Sequence, residues 1–405
     1  MRDLLRRSRW AIAMTVCVLA GWAAAAPTVR DAVSRQPVTG AHLVRPTLYI
    51  AIAPLSDTLD AMSLLSVPQL IALTISLIIA FAAWRLLHLR GAQPDRWCEF
   101  CFALRAFLLF VLVAMFAAVL PRPMAALRMD DENLVILDIH SHTNYSHDAR
   151  ATFSVEQNRA WHRDAGFDVA YITDHRCFDG AAEGERGNPK LAGDGTVLLS
   201  GIELPPDQMH IIELEPPDAA VPDGLLETWC VRAKAGRPLA MPPVRIQTIP
   251  ENLDRIPVGP AGGLGAIELL DGAPRGIAQA QRDRRALLTL SAMHRLALVA
   301  GSNNHGWGRT AVAWNVMHIH QWRRQSPDSV GAQIEMRFRA ERAQAVQVIE
   351  RSTPDGASPL GLALTLPAVV AAMMRMMSPP ERASWLAWTW ALAVVTIAAR
   401  RRRPA

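Results

Sequence analysis

Apolar residues are concentrated in long runs at the two ends of the chain, and shorter apolar runs alternate with polar stretches between them. Apolar segments that approach twenty residues are typical of membrane-spanning helices. The pattern predicts spans at residues 10–26, 67–87 and 106–120, and further apolar segments at 360–374 and 385–399. We therefore expect one membrane region over 1–130, a second over 355–405, and a globular domain over 131–354.

Two interpretations of the first apolar segment stay open. It follows a basic N-terminus and ends in Ala23-Ala24-Ala25-Ala26, which is typical of a signal-peptidase site, but an uncleaved signal anchor fits as well. The last segment has Trp388 and Trp390 near one end and four arginines at the other, a pattern typical of a membrane helix, although a buried helical hairpin is the alternative.

The arginines near the apolar segments bear on topology, because basic residues favour the cytoplasmic side of a membrane. The basic N-terminus and the basic stretch over 85–105 favour a multi-pass protein of a bacterial-type plasma membrane with an extracytoplasmic globular domain. The arginines at 400–403 agree only if one of the two C-terminal segments spans the membrane and the other lies in the interface or is re-entrant.

Within 131–354, strand-like apolar runs alternate with stretches of helical periodicity. The strand candidates are 134–138, 168–172, 197–200, 210–214, 265–270, 297–300 and 345–349. The helix candidates are 155–165, 224–234, 277–295 and 308–318. This alternation predicts an α/β fold with a parallel sheet, most simply a barrel.

The first strand candidate leads into Asp138-Ile139-His140-Ser141-His142. On an extended strand, residues two apart point to the same side, so His140 and His142 would present two imidazoles to one point. Imidazole suits zinc, iron or manganese ions, and the pair is therefore a candidate metal site.

Further polar clusters follow other strand candidates, where the functional groups of α/β barrels gather. They are Thr173-Asp174-His175-Arg176, Gly201-Ile202-Glu203, His210 at the head of its strand, and Gly301-Ser302-Asn303-Asn304-His305. Together these motifs resemble those of the PHP (polymerase and histidinol phosphatase) superfamily of metal-dependent phosphoesterases. The resemblance covers the globular domain only, and it implies a distorted seven-stranded (β/α)7 barrel with bound divalent ions.

Carried over residue by residue, the resemblance implies up to three ions. His140 and His142 would bind one ion together with Glu203, which would bridge to a second ion held also by His210. A third ion would be held by Asp148, His175 and His305, where Asp148 is preferred to its neighbour His147.

Two positions depart from the family pattern. Asn303 stands where the family usually has aspartate, so it would offer a neutral carbonyl oxygen as a ligand. Met241, in Met241-Pro242, stands near the place of a usual histidine, and a thioether is a poor ligand for such ions. We therefore expect one to three zinc, manganese or iron ions per chain.

The resemblance implies a hydrolase in which a metal-activated hydroxide attacks a small phosphoester or related ester. Arg176 and Arg309 are candidates for the cation that grips phosphate, and Asp174 is a candidate for orienting an imidazole, although it fits a structural cap equally well. His162 lies off the motifs and is expected to be a surface or core histidine.

Two other functions stay open: a non-catalytic metal-binding or ligand-sensing domain on a membrane anchor, and a nucleic-acid-processing enzyme. The net charge of +5 first suggests nucleic acid, but the arginines cluster beside apolar runs and no basic, aromatic-interleaved groove is evident, so no nucleic-acid partner is expected. The five cysteines do not predict a disulfide framework, and Cys98 and Cys101 form an isolated CxxC pair. The oligomeric state is not determined by the sequence.

Overall fold

The computed structural model describes residues 8–88, 96–119, 121–204, 210–214, 243–248, 253, 256, 263–308, 310–354 and 356–401. The chain divides into two compact units. The first unit comprises Met1–Thr28, Arg45–Met124 and Ser352–Ala405, and the second comprises Val29–Val44 and Ala125–Arg351. The second unit therefore includes a segment, Val29–Val44, that the sequence pattern placed in the N-terminal membrane region.

The first unit is helical. Its helices are α1 (Arg9–Ala23), α2 (Thr47–Ala51), α3 (Ala53–Ser63), α4 (Val67–His88), α5 (Arg96–Val119), α10 (Pro359–Ala363), α11 (Thr365–Met376) and α12 (Pro379–Arg401). Within the described residues, three segments are long and apolar enough to cross a membrane, namely Val67–Leu87, Trp97–Phe116 and Pro379–Ala399. Two predictions differ from this: the span at 106–120 belongs to a helix that begins at Arg96, and the segment at 360–374 is divided into two short helices at Leu364.

Several buried polar groups in this unit are paired with one another, which offsets the cost of removing them from water. The Tyr49 hydroxyl oxygen lies 3.2 Å from Asp57 Oδ1 and 3.0 Å from Asp60 Oδ2, so its one proton is shared between these carboxylates. Trp385 Nε1 donates to Asp57 at 2.8 Å, and the Arg122 guanidinium donates to Asp60 at 3.1 Å. These bonds join α2, α3 and α12 and hold the segment that follows α5.

The second unit is built on a mixed sheet of ten strands in the order β1-β12-β11-β4-β5-β6-β7-β8-β9-β10, accompanied by a two-stranded sheet of β2 and β3. The strands are β1 (Val29–Asp31), β2 (Ala41–Val44), β3 (Ala126–Met129), β4 (Leu134–Ser141), β5 (Val169–Ile172), β6 (Val197–Leu204), β7 (Ile211–Leu214), β8 (Val244–Gln247), β9 (Leu264–Asp271), β10 (Ala297–Gly301), β11 (Ala313–His318) and β12 (Gln347–Arg351). The helices are α6 (Val155–Ala165), α7 (Asp179–Arg186), α8 (Pro274–His294) and α9 (Pro327–Glu341), with short 3-10 turns at Ala192–Asp194, Trp322–Arg324 and Arg342–Gln344.

The sheet curls into a half-barrel with flanking helices, so that the end of β10 returns to β4. The Asn303 N–H donates to the His140 carbonyl at 2.8 Å, and Ser141 forms a parallel bridge with Asn304. Buried apolar side chains from most of the strands fill the inside, with Tyr171, Leu137 and Ile212 almost fully shielded from solvent. The curl brings the carboxyl ends of β4, β5, β6, β9 and β10 together.

The prediction of a parallel sheet is wrong in part. The pairs β4–β5, β5–β6, β8–β9 and β9–β10 are parallel, but β7 is antiparallel to both β6 and β8, and β11 is antiparallel to β4 and β12. The link between Leu204 and Ile211 is too short for the crossover that a parallel pair requires. The chain therefore turns back directly after β6.

The predicted helix at 308–318 is also wrong, because Ala313–His318 forms strand β11. The predicted helices at 155–165 and 277–295 are confirmed as α6 and α8, although α8 begins three residues earlier at Pro274. The candidate at 224–234 lies outside the described residues. Ser154 Oγ caps α6 by accepting from the Gln157 N–H, and Gly166 ends it with a φ of 89° that a left-handed C-cap requires.

Asn315 explains why β11 lies in the sheet. Its side chain is fully buried, with Oδ1 accepting from the Ala300 N–H at 2.8 Å and Nδ2 donating to the carbonyls of Ala300 at 2.7 Å and Leu137 at 3.1 Å. One amide thus joins β11 to both β4 and β10, at the place where the sheet curls back on itself.

We predict that Asn315→Leu destabilises the second unit by roughly 3 kcal/mol, since three backbone groups lose their partner in a buried place. The measurement is the unfolding of the full-length protein in detergent, followed by tryptophan fluorescence. His318→Leu changes an exposed residue at the end of the same strand and is the matched control. Equal stability of the two variants would contradict a structural role for the Asn315 amide.

Candidate metal centre

Six predicted metal-binding side chains lie together at the carboxyl ends of the strands. They form three overlapping groups whose ligand atoms all lie within 4.8 Å of one another: His142, His175 and His305; His140, His142 and Glu203; and His175, Glu203 and His210. The local fold accounts for this grouping. His140 is the last residue but one of β4, Glu203 is the last residue but one of β6, and His175 follows β5.

The Glu203 carboxylate is the centre of the group. Its Oε2 lies 3.1 Å from His140 Nε2, 3.2 Å from His142 Nε2 and 3.5 Å from His175 Nδ1. Its Oε1 lies 2.6 Å from His210 Nδ1. The Glu203 side chain is only 4% exposed, so these imidazoles replace the water that a carboxylate would otherwise bind. The family resemblance predicts a carboxylate that bridges two ions at this position.

Asp148 lies on the other side of His175, in the position preferred from the sequence. Its Oδ2 is 3.4 Å from His175 Nε2 and 3.1 Å from His305 Nε2. The rings of His142 and His305 stack with their centroids 4.0 Å apart. His175 therefore offers one ring nitrogen toward Glu203 and the other toward Asp148.

The hydrogen-bonding state of two histidines tests whether a cation fits here. His140 Nδ1 lies 2.8 Å from a Glu268 carboxylate oxygen, and His305 Nδ1 lies 3.0 Å from the Asn303 carbonyl oxygen. A carboxylate oxygen and a carbonyl oxygen both accept, so each Nδ1 donates its proton to that partner and Nε2 of each ring is directed at a carboxylate oxygen. Two acceptors at such a distance repel unless a proton or a metal ion lies between them.

The spacing of the ligand atoms agrees with a metal ion. Donor atoms bound at roughly 2.1 Å around one divalent ion lie about 3.0 to 3.4 Å from each other. His140 Nε2 and His142 Nε2 are 3.1 Å apart, and the distances from Glu203 Oε2 and Asp148 Oδ2 to their imidazole nitrogens fall within or close to the same range. The 2.6 Å between Glu203 Oε1 and His210 Nδ1 is shorter and is a hydrogen bond. His142 Nδ1 and His305 Nε2 are buried and have no hydrogen-bond partner within the described part of the chain. The residues present fit divalent ions.

The electrostatics of the centre keep the carboxylates ionised, while two imidazoles favour a proton that a metal ion would displace. Burial would lower the pKa values of His140 and His305, but Glu268 and Glu203 raise the first well above its ordinary value and Asp148 raises the second. Burial would raise the pKa of Glu203, but His140, His142 and His210 hold it well below its ordinary value, so the carboxylate stays ionised. Burial and the neighbouring His305 lower the pKa of His142 well below its ordinary value, which keeps that ring neutral. Burial opposes ionisation of Asp148 too, yet His175 and His305 lower its pKa.

Glu268 is a supporting residue that the sequence analysis missed. It lies on β9, is fully buried, and its bond to Nδ1 fixes the orientation of His140. Burial raises the pKa of Glu268 to about 7, although His140 opposes this shift. The only signal in the sequence was an acidic residue within the strand candidate 265–270, and such a residue needs a partner once it is buried.

His162 is a second supporting residue. His162 was expected on the surface or in the core, and it is fully buried on α6, but it also bonds Asp138 Oδ2 at 2.8 Å. Asp138 Oδ1 accepts from the N–H groups of His140 and Ser302. Asp138, the first residue of the Asp-x-His-x-His motif, thus joins the end of β4 to the segment that follows β10. His162 in turn fixes the Asp138 carboxylate.

The remaining predicted residues are placed as follows. Asp174 accepts from the N–H and the hydroxyl of Thr143, both at 2.6 Å, so it caps the loop after β4. Burial raises the pKa of Asp174 to about 6.

Asn303 donates to Asp271 at 2.9 Å, and its Oδ1 has no hydrogen-bond partner among the described residues. Arg176 follows His175, and its N–H donates to the Glu203 carbonyl at 3.1 Å. Arg309 and Met241 lie outside the described residues.

No protein-family model and no curated protein matches this sequence. Among solved structures, a protein of Bifidobacterium adolescentis proposed as a metal-dependent phosphoesterase is 17% identical, with 50% of this chain and 96% of that chain covered and a TM-score of 0.30. PsfC of Pseudomonas syringae is 13% identical, covering 59% of this chain and 96% of its own, with a TM-score of 0.34.

An amidohydrolase of Chromobacterium violaceum, solved with bound sulfate and no metal, is 15% identical, covering 49% of this chain and 96% of its own, with a TM-score of 0.28. At TM-scores below 0.5 these similarities carry no weight for the activity. The proposal below depends on the geometry of the cluster.

We predict that Glu268→Ala lowers zinc affinity by roughly 10- to 100-fold, because His140 loses the group that orients its ring. Glu268→Gln keeps an acceptor for the Nδ1 proton and should lose less. Competition with a chromogenic chelator measures both. Glu213→Ala is the control, since Glu213 is a buried carboxylate on β7 that pairs with Arg245. Unchanged affinity in Glu268→Ala would show that this carboxylate does not support the site.

Proposed function

We propose that this protein is a membrane-anchored, metal-dependent hydrolase of the PHP type that cleaves a small phosphoester or a related ester. One observation carries the proposal. Imidazole nitrogens and carboxylate oxygens face one another in a buried cluster around Glu203, at spacings that divalent cations would stabilise. Ligand sets of this kind, open to solvent at Asp148 and His210, are typical of catalytic sites and not of closed structural ones.

The ligand set divides into places for one to three divalent ions. His140 and His142 with Glu203 would hold one ion, Glu203 with His175 and His210 a second, and Asp148 with His175 and His305 another. Zinc, manganese or iron would supply Lewis-acid activation of water and of the ester. We propose Asn303 as a further neutral ligand through its unpaired Oδ1.

The chain's own residues would fix the ligands and bind the substrate anion. Arg176 is fixed at the backbone beside Glu203, and its guanidinium is our candidate for binding phosphate through two hydrogen bonds, together with Arg309. Asp174 bonds Thr143, so we assign it to positioning of the loop that carries His142 and not to proton transfer.

A non-catalytic metal-binding or ligand-sensing domain is the second candidate. Asn303 favours it, because its amide donates to Asp271 and adds no negative charge to the first ion's place. Such a domain would bind ions and ligands without turnover.

We predict that the full-length protein purified in detergent retains divalent metal and hydrolyses at least one member of a panel of phosphomonoesters, phosphodiesters and carboxylic esters. Glu203→Gln should lower this activity by roughly 100-fold or more, since one carboxylate serves several ligands. His318→Ala, an exposed histidine on β11, is the control and should leave activity unchanged.

Elemental analysis of the same samples separates the outcomes. Metal without turnover of any ester would favour the sensing domain. Absence of metal after reloading with zinc, manganese and iron would rule out both candidates.

We also propose that the second unit lies outside the cytoplasm. Three helices expose most of their apolar surface, which suits a lipid environment and supports membrane anchoring. Cys177 is fully buried two residues after His175 and is disulfide-bonded, whereas Cys17, Cys98 and Cys101 form no disulfide. Disulfides persist in oxidising compartments, so this bond supports the extracytoplasmic side that the arginines favoured.

We predict that a variant with Cys17, Cys98 and Cys101 changed to serine, expressed in whole cells and quenched in acid, takes up a maleimide only after reduction. Adding Cys177→Ser should release one thiol that reacts without reductant. Mobility shifts with a polyethylene-glycol maleimide count the thiols. Labelling of the first variant before reduction would place Cys177 in a reducing compartment and contradict the proposed side.

A further inference from the structure

A cavity of about 290 Å³ adjoins the metal centre. Asp148 and His305 form one part of its lining, so a molecule in the cavity would reach the metal-facing side chains. The rest of the lining comes from the β10–β11 connection, the start of α8, and one residue of α6. The volume lies at the small end of the range for ligand pockets and suits a small molecule.

Part of the lining is apolar and contains two tryptophans. Trp161 is only 5% exposed, and its Nε1 donates to the Gly308 carbonyl at 3.0 Å, so the indole is fixed with its polar atom satisfied. Trp307 is 51% exposed, with the Arg150 guanidinium 5.8 Å from its ring centroid. Ala311 and Val312 complete this apolar part. Indole faces of this kind favour flat, unsaturated groups.

A single polar group in the lining is both deeply buried and unpaired as a donor. Asn304 is 3% exposed, and its Oδ1 accepts from the Gly306 N–H at 2.9 Å, which fixes the orientation of the amide. Its Nδ2 therefore faces the other way, and it has no hydrogen-bond partner within the described ranges. A buried donor without a partner costs free energy. Nδ2 is covered in this structure, so a ligand that accepts from it must displace the covering atoms, and the new hydrogen bond then removes that cost.

We infer that this cavity binds the organic part of the substrate, and that this part is a flat unsaturated ring with a hydrogen-bond acceptor. The inference rests on the proposed function, since it assigns a substrate class to the same site. The ester group would lie at Asp148 and His305, the ring would lie against Trp307 and Trp161, and the acceptor would meet Asn304 Nδ2. Asn304 and Trp307 are then specificity-determining residues.

Unreactive phosphonates test this without any need for turnover. Phenylphosphonate and cyclohexylphosphonate have the same number of carbons but differ in flatness, and 4-nitrophenylphosphonate adds an acceptor. Isothermal titration of the metal-loaded, full-length protein should show phenylphosphonate binding about fivefold more tightly than cyclohexylphosphonate, and the nitro compound more tightly again.

Two variants separate the ring from the acceptor. Trp307→Leu keeps an apolar wall and should abolish the preference for phenyl over cyclohexyl, whereas Trp307→Phe should retain it. Asn304→Asp keeps the acceptor for the Gly306 N–H but removes the donor, so it should abolish the gain from the nitro group. Trp97→Leu, at an exposed tryptophan of α5, is the control. Metal content measured on each variant shows that the site has folded.

The outcomes distinguish this inference from the proposed function. Equal affinities for the three phosphonates, or an unchanged preference in Trp307→Leu, would overturn the ring site and leave the metal-dependent hydrolase standing. Failure of the metal-loaded protein to bind any of the three phosphonates would also overturn the ring site. Protein that retains no metal after reloading would overturn both proposals.

Discussion

The buried carboxylate of Glu203 is the group on which the functional part of this structure depends. Removing a carboxylate from water costs several kcal/mol unless cations or donors replace the lost hydration. Four imidazoles surround this one, and they come from the ends of β4 and β5 and from the residue before β7. The strands must therefore end within a few ångströms of one another, and the curl of the sheet provides this.

The residues that contact and orient the imidazoles are closely packed, so few substitutions fit there. Gly301, at the end of β10, lies against His140 and Glu268, and a Cβ atom there would come within 2.6 Å of His140 Cβ and into direct overlap with a Glu268 oxygen. Position 301 thus requires glycine, because His140 on β4 and Glu268 on β9 approach its backbone too closely for a side chain. Glu268, Asp138, His162 and Asp174 all bond to the residues or loops that carry ligands, so the centre is held from several sides.

The sequence predicted much of the centre because its motifs are local. Alternation along one strand places His140 and His142 on the same side, and polar clusters after apolar runs located His175, Glu203 and His305. Glu268 was missed because its role depends on which strand β9 adjoins after the sheet curls, and no local pattern encodes this. The antiparallel direction of β7 was missed, and β11 was predicted as a helix, for a related reason. Tertiary hydrogen bonds from Asn315 decide the state of a segment whose periodicity is ambiguous.

The pairing of β1 with β12 has a consequence for how the chain is made. Val29 pairs with Arg351, so the earliest strand to be synthesised finds its partner only after nearly the whole second unit has been translated. Glu350 forms ion pairs with Arg30, Arg35 and Arg284. These pairs cannot form until Glu350 has been synthesised. Closing so long a loop is slow compared with local folding. The edge of the sheet would therefore stay open during synthesis, and a chain that stops before residue 347 would leave β1 without its strand and these arginines without their carboxylate.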